Sequence, residues 1–221
     1  IDTVATGIDD YDTVMKSKII EKAKTGTRIK YASGHTRRLD SACRMNILEG
    51  VRQINYGVRK EAGLQYGADG VEITAHGLCA NDHLPYQGKQ YSIEKFNSIN
   101  SRLKRQFGTC NCKHGISYIV LGISPPSYSQ EELTAIKNYS QEKININGKE
   151  CTRYEASQAM RKAETDMRYK QDEILALKKA GMTYEKQTEQ LDRLKATYKY
   201  IAKKSKLKPR LERAYVPGYN L

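Results

Sequence analysis

Apolar positions along the chain change period several times, and each period predicts an element. Between residues 8 and 24, Ile8, Tyr11, Met15, Ile19 and Lys22 recur at helical spacing. Asp9, Asp10 and Asp12 fall in the first turn, where the helix dipole favours carboxylates, and Thr25-Gly26 ends the helix. Residues 28–31 alternate polar and apolar, as a short strand does, and Ser33-Gly34 turns the chain. Over residues 38–62, Leu39, Cys43, Ile47, Val51, Ile54, Val58 and Ala62 form one stripe. This predicts a long amphipathic helix that buries the stripe and turns Arg37, Arg38, Arg44, Arg52, Arg59 and Lys60 to solvent. Two short apolar runs follow, 71–75 and 116–123, whose length and β-branched content fit buried strands. Residues 92–105 lie between them and read as a short basic helix with Ile93, Phe96, Ile99 and Leu103 on one side.

Beyond the second run, Pro125-Pro126 imposes an extended segment, and Ser129 with Glu132 has the capping-box spacing that starts a helix reaching about Tyr139. Residues 144–151 read as a β-hairpin, because Asn147-Gly148 suits both positive-φ positions of a type I′ turn. Thereafter Ala156, Met160, Ala163, Met167, Ile174 and Leu177 follow heptad-like spacing. Tyr184, Leu191, Leu194, Tyr198 and Ile201 repeat it after Ala180-Gly181, which predicts an antiparallel helical hairpin. The expected fold is α+β: a small sheet packed by helices, followed by a long basic antiparallel helical hairpin at the C-terminus. The expected division is a body over residues 1–150 and a helical arm over 151–221.

Composition adds charge to this outline. The 221 residues carry a formal net charge of +13 with pI near 9.4, so a polyanionic partner is expected, either nucleic acid or an acidic protein surface. From Cys151 onward there are 17 Lys and Arg against 9 Asp and Glu, so +8 of the total lies in the arm. Mean hydropathy is −0.72, low for one compact domain, and fits exposed helices. Trp is absent while Tyr occurs 16 times, a composition suited to half-buried surfaces where the ring is covered and the hydroxyl wet. Five cysteines cannot all pair, and their spacing is no secreted framework, so a reducing compartment is expected. No run of 18 apolar residues and no signal peptide is visible, so no membrane partner is expected. A chain beginning at Ile1 rather than Met fits a fragment or a processed product.

Candidate chemistry is confined to residues 71–122, which hold three of the four histidines and three of the five cysteines. Two polar clusters, 76–88 and 108–114, flank the predicted strands, whose ends can present them on neighbouring loops. Together they offer His76, Cys79, His83, Cys110, Cys112 and His114, more donors than the four a tetrahedral zinc needs. The spacing is Cys-x-Cys-x-His rather than the Cys-x-x-Cys of zinc ribbons. Two readings follow: a metal centre with zinc as candidate ion, or histidines bonded to loop backbone among small packed cysteines.

The order of these pieces resembles the minor capsid protein 2 family of tailed phages and prophages from Gram-positive bacteria. The resemblance runs through Gly7 and Tyr11, Tyr31 with Ser33-Gly34, Arg44 in the long helix, and Val71-Glu72 with Ala75-His76. Its most specific matches are His83, Gln87-Gly88 and Asn111-Cys112-Lys113-His114, where the family usually has Asn-Cys-Arg-His. Further on, Gly122 to Ser124, Ser129 with Glu131-Glu132, and Tyr154-Glu155-Ala156 with Gln158 look like later parts of the family pattern. Tyr86 stands where the family often carries Trp, which keeps a ring and loses the indole donor. Cys79 and Cys110 fall outside the pattern, which leaves His76, His83, Cys112 and His114 as the candidate metal ligands. More distantly, the central stretch is similar to the head-morphogenesis domain of Mu-type minor head proteins.

The resemblance implies a few-copy head protein near the portal, assembled in the host cytoplasm and carried in the virion, touching portal, other head proteins and packaged DNA. Non-specific phosphate contacts are expected from Arg44, Arg52, Arg59, Lys203, Lys204 and Lys206. The expected role is structural rather than enzymatic. The alternative is a metal-dependent nuclease or a virion-carried toxin-like effector, with Asp82 and His83 as base and a metal at Cys112 and His114.

Overall fold

The computed structural model describes residues 11–26, 28–32, 34–109 and 112–219. In chain order the elements are α1 (Tyr11–Thr25), β1 (Arg28–Lys30), β2 (Thr36–Arg38), α2 (Leu39–Gln65), β3 (Gly70–Ile73), β4 (Gln90–Ser92) and α3 (Ile93–Arg102). Then come β5 (Ile116–Ile119), α4 (Gln130–Gln141), β6 (Lys143–Ile146), β7 (Lys149–Thr152), α5 (Arg153–Lys179), α6 (Glu185–Ser205) and a 3-10 turn (Leu211–Ala214). The fold is α+β, with small antiparallel sheets packed by helices and two long helices near the C-terminus in close contact. Ile8, Asp9, Asp10, Ser33, Cys110 and Asn111 lie outside the described residues. Among the described residues no helix is long and apolar enough to cross a membrane.

The chain forms two compact units. One takes Ile1–Asp40, Ile144–Cys151 and Glu155–Leu221, and the other takes Ser41–Lys143 and Thr152–Tyr154. In the first unit α5 and α6 pair as the heptad spacing predicts. Ala156, Met160, Ala163, Met167 and Ile174 meet Leu191, Tyr198, Ile201 and Ala202 in one apolar core. Gly181, at φ +68°, supplies the positive-φ residue in the connection. Tyr198 is wholly buried, and its hydroxyl is satisfied on both sides: it donates to Glu164 Oε1 at 2.9 Å and accepts the Arg210 amide at 2.7 Å. The start of the chain joins this unit through polar contacts. Lys16 donates to Thr183 Oγ1, Lys24 pairs with Glu173, and buried Arg38 pairs with Asp172 while its guanidinium lies over the Tyr169 ring. The β6–β7 hairpin turns at Asn147 and Gly148, at φ +54° and +79°, as the Asn-Gly dipeptide demands.

In the second unit β3 is the central strand of a three-stranded antiparallel sheet ordered β4-β3-β5. Val71 lies opposite Tyr91 on one side and Tyr118 on the other, and Ile73 lies opposite Ile116. All four residues of β3 are buried, the carboxylate of Glu72 included. Glu72 accepts from Gln90 Nε2 at 2.9 Å and from the Ser127 amide at 3.1 Å. Ser92 caps α3 by accepting the Lys95 amide, and Phe96 drops into a core with Val71, Ile73, Phe107 and Ile116. Ser129 and Glu132 form the reciprocal capping box at the start of α4.

The expectation for α2 fails in its apolar stripe, whereas Arg44, Arg59 and Lys60 are exposed as expected; Arg37 and Arg38 fall in β2 instead, with Arg38 buried. The helix forms where predicted, but Ile47 is 67% exposed, Val51 53%, Ile54 70% and Val58 65%. Its inward side carries Ala42, Met45, Glu49, Arg52, Tyr56 and Gly63 instead. That side is chosen by fit. A Cβ built on Gly63 would lie 2.4 Å from Cβ of Tyr118, so the missing side chain lets α2 approach β5, while the Tyr56 ring packs on the sheet core.

Candidate metal centre

The sheet topology brings three separate pieces of sequence to one place. Because β3 runs antiparallel to both neighbours, the end of β3 lies beside the starts of β4 and β5. His76 follows β3, Gln87 precedes β4, and His114 precedes β5. The ladder extends beyond the strands at this end: the Thr74 amide donates to Gly115 O at 3.0 Å, and the Gly88 amide donates to Ile73 O at 2.6 Å. Thr74 Oγ1 also accepts the Gly115 amide at 2.7 Å, which fixes the residue next to His114. His83 enters from a tight turn in which its own amide donates to Ala80 O.

His83, Cys112 and His114 converge. The two Nδ1 atoms are 3.4 Å apart, and Cys112 Sγ lies 3.7 Å from His83 Nδ1 and 3.3 Å from His114 Nδ1. An ion with zinc's bond lengths in tetrahedral geometry would separate nitrogen ligands by about 3.3 Å and nitrogen from sulfur by about 3.6 Å. The observed triangle fits that face of a tetrahedron. Each ring is held by its far nitrogen. His83 Nε2 bonds the Arg105 carbonyl at 2.7 Å and His114 Nε2 bonds Gln87 Oε1 at 3.1 Å. Both partners are oxygens with no hydrogen to give, so each Nε2 carries the proton and each Nδ1 presents a lone pair to the centre. Burial, with His76 and His83 beside it, lowers the His114 pKa to about 3 against a weaker opposing effect of Asp82, so this imidazole is neutral in neutral solution, as a ligand must be.

The surroundings are apolar. The His83 ring stacks on Phe107 at 4.2 Å between centroids, and Phe107 meets His114 edge-on at 5.1 Å. Asn100 Oδ1 holds the Phe107 amide at 2.7 Å and so sets that wall. Burial pushes the Cys79 thiol up to about 11, helped by Asp82 and Cys112, and its sulfur contacts only the Ala80 carbonyl among the bonds described.

Of the expected ligands, His76 falls beside the three rather than among them. Its Nδ1 bonds the Gly77 carbonyl at 2.9 Å and its ring lies against the face of His114 at 4.3 Å. Its amide donates to Gln87 Oε1 at 3.1 Å, so Gln87 ties two of the histidines together. Gly88 takes φ +68° directly after it. Asn111 and Cys110 are outside the described residues. Asp82, the base that a nuclease reading would use, is held by Arg105 at 2.7 Å and 3.3 Å. Arg105 carries no motif signal in the sequence, yet its carbonyl orients His83 and its guanidinium orients Asp82. Among the cationic candidates, Arg44, Arg59, Lys203, Lys204 and Lys206 are exposed, whereas Arg52 is half-buried and pairs with Glu49 at 3.3 Å.

Fold and site together define an α+β protein with two buried histidines and one half-buried cysteine clustered at one end of a small antiparallel sheet. The chain belongs to the phage minor capsid protein 2 family, whose model it matches over residues 1–203. It is thus a phage minor capsid protein by family, which points to the virion and to contact with other head proteins. No curated protein and no solved structure matches it.

Proposed function

We propose that this protein is a structural and assembly component of the phage head, seated at the portal, in which a zinc ion knots the central sheet and exposed lysines and arginines touch packaged DNA. The observation that carries the reading is the preset triangle of His83 Nδ1, Cys112 Sγ and His114 Nδ1. Both imidazoles are locked in the ligand tautomer before any ion arrives. Its walls are Phe107 and the sheet core, which suits a closed structural centre more than one open to a substrate. Bound there, zinc would cross-link the turn at His83 to the segment before β5, contributing folding energy rather than chemistry.

Metal analysis of the purified protein tests this, together with chelation followed by circular dichroism. Stoichiometric zinc, absent from a His83→Ala, Cys112→Ala double variant and linked to unfolding on chelation, is the expected result. A zinc-free protein with unchanged stability on zinc addition would overturn the metal. DNA contact is tested separately by the salt dependence of binding to duplexes of unrelated sequence. Exposed Lys203, Lys204 and Lys206 meeting phosphate contribute about −2 to −3 to the log–log slope, a share lost when all three are replaced by Ala. Binding that ignores salt would remove DNA from the reading.

A further inference from the structure

We propose that the outward stripe of α2 is a homodimer interface, along which two copies of this chain pair antiparallel. The stripe consists of Cys43, Ile47, Val51, Ile54, Val58 and Ala62, every one of them exposed. Two features point to a second copy of the same helix. The first is that the spacing of these residues, 4-4-3-4-4, reads the same from either end. A two-fold axis through a helix pair requires such self-complementarity, since each residue that contacts a partner position must be contacted by it in return. With the axis between Val51 and Ile54, Val51 lies opposite Ile54, Ile47 opposite Val58, and Cys43 opposite Ala62.

The second feature is what flanks the stripe. In the same register exposed Arg44 lies opposite exposed Glu61, twice over, whereas a parallel pair would set Arg44 against its own copy and Glu61 against its own. Leu48, 43% exposed, widens the apolar surface on one flank of the stripe. A Cβ on Gly57 or Gly50 would meet nothing within 4 Å, so both glycines leave open space into which a partner's side chains can seat. The central Ile47, Val51, Ile54 and Val58, spaced 4-3-4, form the β-branched seam of a left-handed helix pair. With Leu48 they offer roughly 100 Å² each, so a pair would cover about 1,000 Å² in all, at the small end of specific interfaces. The dimer is therefore weak and concentration-dependent.

Analytical ultracentrifugation of the full chain tests the pairing, and cysteine cross-linking in a Cys43→Ser background tests its direction. Expected is a monomer–dimer equilibrium with Kd in roughly the micromolar range. Ile54→Glu should raise Kd at least about tenfold without changing the helix signal or Tm, because the side chain it replaces is already solvated. Arg44→Glu should weaken pairing and the Arg44→Glu, Glu61→Arg double variant should restore it. Ile47→Cys with Val58→Cys should cross-link, and Ile47→Cys alone should not. A chain monomeric to about 100 µM, a dimer indifferent to Ile54→Glu, or cross-linking by Ile47→Cys alone would each overturn the proposal.

Discussion

Replacing Gln87 by Leu separates what the site owes to its hydrogen bonds from what it owes to shape. Gln87 is 4% exposed, and its Oε1 accepts from both His114 Nε2 and the His76 amide at 3.1 Å. Leucine fills a similar volume but accepts nothing, so two donors are left without their acceptor. At about 1–3 kcal/mol for each buried group so orphaned, the loss should be about 2–4 kcal/mol, allowing for partial access of water. The His114 ring would also be free to change tautomer, turning a proton rather than a lone pair toward Cys112. Loss of such an outer partner lowers metal affinity about 10- to 100-fold. Urea unfolding followed by circular dichroism reads the first quantity, and zinc competition with a chromophoric chelator reads the second. Gln87→Glu keeps an acceptor oxygen for His114 and should retain zinc affinity. A Gln87→Leu protein within about 0.5 kcal/mol of the parent, binding zinc as tightly, would refute the reasoning.

Gly88→Ala places a Cβ 2.1 Å from Leu133 Cδ2 at φ +68°, so left-handed strain of about 1–2 kcal/mol adds to overpacking of about 1–3 kcal/mol. Denaturant melts should show that loss, and Leu133→Ala in the same chain should relieve the packing share and leave the strain. Burial acts to raise the Glu72 pKa, but hydrogen bonds from Ser127 and Gln90 outweigh it, so the folded-state value lies below the ordinary 4.5. A carboxylate lowered by folding lends stability in full above 4.5 and loses it as pH falls through the folded-state value. Acid titration of stability should therefore be steeper below pH 4.5 in the parent than in Glu72→Gln, and equal slopes would exclude Glu72 as a contributor.

The cluster of His83, Cys112 and His114 was legible only within a wider set that also held His76, because these donors crowd between two apolar runs whose antiparallel pairing joins their polar ends. The tautomers were not legible. Nothing about Arg105 or Gln87 as isolated residues says that an oxygen of each faces an imidazole; only the family pattern pointed to Gln87-Gly88. Strands β2 and β4 went unpredicted because Thr36–Arg38 carries no apolar residue and Gln90–Ser92 only Tyr91, their pairing being imposed by the strand next door. The α2 stripe misled for a different reason. Periodicity shows which face of a helix is apolar, but Gly63 against Tyr118 shows that close backbone approach can decide which face is covered.

The first compact unit is assembled from both ends of the chain. Arg38 finds Asp172 across 134 residues, and Lys16 finds Thr183 across 167. On the ribosome, Lys16, Lys24 and Arg38 therefore emerge long before their partners exist. The sheet carrying His83 and His114 has every strand in hand by residue 119 and can close first. Until α5 has been synthesised, the opening segment keeps its own β1–β2 pairing but lacks its contacts with Asp172 and Glu173. Its capture by α5 and the residues after it comes late in synthesis, an order of events written into connectivity alone.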